Sequence, residues 1–181
     1  MLSCLGIYIE KNIIKYAKLS KEKDNIKVDA FGLKFYDRLD EAMEQIMTET
    51  DSYNIPISVN LSNESYQYFN VLSMIKGQDI QKVVKTEFEA YCYSEKINQH
   101  AFETRQTYAN SLDEKDKIRV INVIDNKIDI SSKIQLFDKY KLSTLTPISM
   151  SIKNIMNLQE KENALIVNIE EKTTTNSCYQ N

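Results

Sequence analysis

Residues 5–15, LGIYIEKNIIK, restrict the fold more than any other stretch of this chain. Leu5, Ile7 and Ile9 alternate with Gly6, Tyr8 and Glu10, the period of two that marks a strand with one buried face. A second apolar run, Ile13 to Leu19, supplies the return strand, and the charged residues between them make the turn of a hairpin. IKVDAFGLKF (26–35) reads as a third strand, so the residues before Asp37 form a meander. What the first turn is for stays open at this point: it either holds a ligand or only joins two strands.

The pattern then switches to the helical period. Leu39, Ala42, Met43, Ile46 and Met47 fall on one face at i, i+3, i+4, i+7 and i+8. IPISVNLS (55–62) alternates again and is a strand, and SYQYFNVLSM (65–74) is its hairpin partner or a nearby strand. DIQKVVKTEFEAYCY (79–93) is a helix with the stripe Ile80, Val83, Val84, Phe88 and Tyr91, and Asp79 suits its N-terminus. Residues 94–145 read as a smaller strand–strand–helix–strand unit. Its strands lie near 100–109, 118–124 and 142–148, and its helix carries Ile130, Ile134, Phe137 and Tyr140. A helix over 150–158 and a strand over 164–170 complete the reading. The expected organisation is a main unit over 1–93, an inserted unit over 94–145, a return to the main unit over 146–163 and a further start at 164–181.

Composition narrows the function classes. A formal charge of −3 and a pI near 5.4 argue against general affinity for nucleic acid or anionic lipid. The lysines of KLSKEKDNIK (18–27) are interleaved with Glu22 and Asp24 and read as a solvated hairpin tip. Cys4, Cys92 and Cys178 are scattered, which fits no zinc or redox motif and suits a reducing cytosol. No apolar run approaches the roughly 20 residues that span a bilayer, so no membrane insertion is expected. His100 is the single histidine, and Glu87 and Glu89 point apart on their helix, so no catalytic or metal-binding set emerges.

The order of these segments, and the residues in them, resembles the N-terminal half of the PilM family, actin-like proteins of type IV pilus assembly. LGIYIEKNIIK aligns without gaps to the family's LGIDIGSSSIK, and ISVNLSNESYQYFNVL (57–72) to its VSLPGSSVIVRRIELP. IQKVVKTEFEAYCY (80–93), the run 118–157 and ALIVNIEEKTTT (164–175) resemble the segments that follow. The resemblance implies an actin-like, RNase H-like α/β fold: a mixed sheet with flanking helices and a small inserted subdomain. The family continues for about as many residues again, so 164–181 is expected to open a second domain.

In that family the first hairpin turn wraps nucleotide phosphates through backbone N–H groups, which favours Gly and Ser. Here Tyr8 replaces an Asp and Glu10 replaces a Gly, and residues at i and i+2 of a strand share a face. A carboxylate about 5 Å from a phosphate charge costs roughly 3 kcal/mol at an effective dielectric of 20. Lys15 matches the family's lysine and Asn12 offers an amide, while the second turn keeps the hydroxyls of Thr173, Thr174 and Thr175 but loses an Asp and a Gly at Asn168 and Glu170. ATP and Mg²⁺ are therefore possible cofactors in the family, whereas this chain is expected to hold none and to be no enzyme.

What remains is a scaffold. The resemblance implies a cytoplasmic protein held at the inner face of the membrane through the N-terminal tail of a PilN-like membrane protein, and coupled to pilus motor ATPases. Tyr66, Tyr68, Phe69, Val71 and Phe88 are the candidate lining of the peptide groove. The alternatives are an ATP-binding assembly factor or weak ATPase, and a GspL-like cytoplasmic component of type II secretion.

Overall fold

The computed structural model describes residues 2–23, 25–61, 64–110, 115–148, 151, 163–169 and 174–180, with backbone alone for 110, 163–169 and 174–180. The described chain forms two compact units, one from residues 1–62 with 136–181 and one from 63–135.

The first unit holds the meander. Strands β1 (Leu2–Glu10), β2 (Ile13–Glu22) and β3 (Asn25–Phe35) pair antiparallel, and helix α1 (Leu39–Thr50) leads into β4 (Ile57–Leu61). β4 lies parallel to β1, and β8 (Leu142–Pro147) lies parallel to β4, giving a mixed sheet of order β3-β2-β1-β4-β8. The helical stripe read from sequence buries Ala42, Met43, Ile46 and Met47 against Leu5, Ile7, Ile14, Ile57 and Val59. Lys18, expected at a solvated tip, reaches the last turn of α1 and donates to the carbonyls of Thr50 at 2.6 Å and Asp51 at 3.1 Å. A cation there complements the negative end of the helix dipole.

The β1–β4 ladder stops at Ile7 and Val59, and a side chain takes over from the backbone. Buried Asn60 accepts from the Ile9 N–H at 2.8 Å and donates to the Ile9 carbonyl at 3.3 Å. Both polar groups of Ile9 are thereby satisfied where the strands diverge.

The second unit is a three-stranded antiparallel sheet of order β5-β7-β6, with β5 (Ser65–Leu72), β6 (Phe102–Asn110) and β7 (Lys117–Asn126). Helix α2 (Gln78–Glu95) covers one face, where Val71 and Val120 pack with Ile80 and Val84. Cys92 joins the buried side of α2, and burial pushes its thiol pKa up. Across the same face Gln67, fully buried Asn122 and Gln106 form a row of bonded amides, Nδ2 of Asn122 to Gln67 at 3.2 Å and Nε2 of Gln106 to Asn122 at 3.1 Å.

Three expectations are corrected. The inserted unit spans 63–135 rather than 94–145, because β5 pairs with β7 and α2 covers that sheet, while β8 pairs with β4. Its order is accordingly strand–helix–strand–strand–helix. Helix α3 (Lys127–Leu136) ends before Phe137, so the stripe Ile130, Ile134, Phe137, Tyr140 does not belong to one helix. Phe137 and Tyr140 sit in a following turn, closed by the Tyr140 N–H donating to the Phe137 carbonyl at 2.9 Å, and join the core of the first unit. The strand expected at 164–170 is β9 (Asn163–Ile169), paired antiparallel with β10 (Thr174–Gln180). The helix expected over 150–158 falls largely outside the described residues.

Candidate functional site: the first hairpin and the small sheet

Glu10 pairs with Ile13, so Lys11 and Asn12 alone make the first turn. Lys11 sits at φ 43°, a left-handed conformation that a Gly would adopt at lower cost. Tyr36, just beyond β3, holds the turn from outside. Its N–H donates to the Asn12 carbonyl at 2.9 Å, and its hydroxyl donates to the Lys11 carbonyl. Burial raises the pKa of that phenol, which keeps it a donor.

The register places Tyr8 directly opposite Lys15, and both lie on the sheet face away from α1 together with Glu10. The Lys15 ammonium lies 5.1 Å from the Tyr8 ring centre and 3.4 Å from the Glu10 carboxylate. Lys15 thus contacts both Tyr8 and Glu10. A phosphate at Lys15 lies beside the Glu10 carboxylate, which repels it, and the Tyr8 phenol offers no carboxylate for a hydrated Mg²⁺. These residues do not suit a nucleotide phosphate. Among the described residues no group of three or more His, Cys, Asp or Glu is placed to hold a metal. Of the other candidates, Asn12 is exposed in the turn, Thr173 lies outside the described residues, and Thr174 opens β10 opposite Ile169.

The proposed groove residues do not share one surface. Phe69 and Val71 pack toward α2 with Val83 and Val84, and Val71 is buried. Tyr66 and Tyr68 alternate with them on the opposite face, with their rings stacked at 6.3 Å. Phe88 is half-buried on α2. The exposed member of the set is Tyr68, stacked on half-buried Tyr66, on a strand at the edge of its sheet. Around them, the Tyr66 hydroxyl donates to Glu64 at 3.1 Å. On α3, burial lowers the pKa of Lys133, against the opposing pull of Asp129 and Glu64. Arg105 on β6 lies on the same face and donates through Nε at 3.1 Å and a terminal nitrogen at 2.6 Å to buried Asp125.

No family model and no curated protein matches the chain. Solved structures do. The chain superposes on a PilM–PilN type IV pilus biogenesis complex with a TM-score of 0.77 at 12% identity, covering 97% of this chain and 57% of the other. It superposes on the cytoplasmic domain of EpsL, an inner-membrane component of the type II secretion system of Vibrio cholerae, with a TM-score of 0.64 at 12% identity. That match covers 98% of this chain and 71% of the EpsL domain. The chain therefore spans little more than half the length of the PilM–PilN complex chain it matches. At such identities the likeness is one of fold, and the fold of this chain is the actin-like α/β fold of the PilM proteins that its sequence resembles.

Proposed function

We propose that the chain is a cytoplasmic, actin-like scaffold of a type IV pilus or related secretion machine, one that binds the N-terminal tail of a PilN-like membrane protein and does not hydrolyse ATP. The observation that carries this reading is the pairing of half-exposed Lys15 with Glu10 and Tyr8, where a phosphate turn would need neither, within a fold shared with a PilM–PilN complex. A scaffold needs the sheet and its partner surface, and the phosphate turn is free to become an ordinary hairpin. No helix among the described residues is long and apolar enough to cross a membrane, which is compatible with recruitment through a partner.

Stacked Tyr66 and Tyr68 on edge strand β5 supply the kind of surface an extended peptide grips, with backbone bonds along the edge and aromatic contacts beside it. Fluorescence anisotropy with a labelled peptide of a PilN N-terminal tail tests this. Saturable binding at tens of micromolar is expected, weakened about tenfold or more by Tyr68→Ala. A flat titration to about 500 μM would sink the assignment. The likeness to the EpsL domain supports a second reading, a component of type II secretion with the same scaffold role.

A further inference from the structure

We infer that the sheet face bearing β3 is a self-association surface that joins two copies of this chain. Phe31, Leu33 and Phe35 alternate with Gly32 and Lys34, and Lys34 bonds Glu49 of α1, so the three apolar side chains point away from the helix. Simple alternation would send Ile26 and Val28 to the other side. A β-bulge prevents this: Lys18 pairs with Ala30 while Leu19 pairs with Val28, leaving Asp29 as the extra residue. All five apolar residues therefore stand in one row on one face. They are strongly exposed, Ile26 48%, Val28 54%, Phe31 79%, Leu33 50% and Phe35 70%.

Two features select a second copy packed face to face. The first is shape. Phe31, the most exposed of the row, lies opposite Ala17, and Ala17 lies opposite Gly6, so its ring stands beside a gap floored by two small residues between the Tyr8–Lys15 and Cys4–Leu19 pairs. A two-fold axis seats Phe31 of each copy over the Ala17–Gly6 gap of the other, which is the self-complementarity an isologous contact requires. The second is area. Five such side chains carry on the order of 600 Å² per copy. A two-fold contact then buries about 1,200 Å², the lower end of specific interfaces. Edge-to-edge joining of β3 is disfavoured, because the bulge and the Lys27–Asp29 ion pair at 3.5 Å interrupt the outer edge.

Sedimentation velocity of the full chain across a concentration series tests the inference, with Phe31→Asp and, separately, Phe35→Ser as variants. Both side chains are largely exposed, so the variants keep the fold, which circular dichroism verifies. The expected result is a concentration-dependent species of twice the 21.1 kDa chain mass that either substitution weakens at least tenfold. A wild-type chain that stays monomeric at about 200 μM overturns the inference. A dimer that survives both substitutions overturns it as well.

Discussion

Phe137→Ala is expected to lower the unfolding free energy of the first unit by about 3–5 kcal/mol. Phe137 is fully buried and heads the large side chains of the core, where it meets the Tyr140 ring at a centroid distance of 6.1 Å. It lies where the chain re-enters the first unit after residues 63–135, directly before β8. Its loss removes aromatic surface from a core shared by β1, β2, α1 and β4, and it loosens the turn that delivers β8 to β4. Polar contacts also hold that turn, whose Lys141 carbonyl accepts from the Ile57 N–H at 2.9 Å. Glu44 of α1 accepts from Lys139 and from the Tyr140 hydroxyl at 3.0 Å, and these donors, with Tyr53, hold its pKa below the usual carboxylate value. Such exposed contacts contribute little beside a buried ring. Urea denaturation should show a lower midpoint with an unchanged slope. A loss under about 1 kcal/mol would contradict the placement of Phe137 in this core.

Arg105→Met is expected to cost about 2–3 kcal/mol in the second unit, a little under the value for a fully buried pair because the guanidinium is half-exposed. Asp125 is buried, and the substitution leaves its carboxylate without the bonds from Arg105. The double variant Arg105→Met, Asp125→Leu separates charge from packing. If the cost arises from the stranded carboxylate, the second change restores most of the stability, so the two effects are not additive. Hydrogen exchange of the β6 and β7 amides localises the effect. Additive losses would assign it to packing of the arginine stem instead.

The local elements were legible because their cause is local. Period two in LGIYIEK and the i, i+3, i+4 stripe of α1 each state which face is buried, and both appear as expected. The neighbours of β8 were not legible, since LSTLTPI says only that a strand forms, and its pairing with β4 is fixed by residues more than 80 positions away. Phe137 and Tyr140 continue a helical spacing from Ile130 and Ile134, yet the core of the first unit takes both rings and the helix ends first. In β3 the spacing Ile26, Val28, Phe31, Leu33, Phe35 contains one gap of three, which is the mark of the bulge in sequence.

The candidate site divides in the same way. Tyr8, Glu10 and Lys15 on one face follow from strand period and hairpin register, both readable in advance. The clamp by Tyr36 does not, because nothing in its local sequence names the turn carbonyls as its partners. Strand parity also separates Tyr66 and Tyr68 from Phe69 and Val71, and a groove drawn through all four ignores it.

Isothermal calorimetry of the chain with Mg·ATP tests the central claim most directly, that the first hairpin has become scaffold. With Lys15 held by Glu10 and Tyr8, no saturable heat is expected at ATP concentrations up to about 1 mM. Saturable binding tighter than about 100 μM, lost on Lys15→Ala, would contradict it.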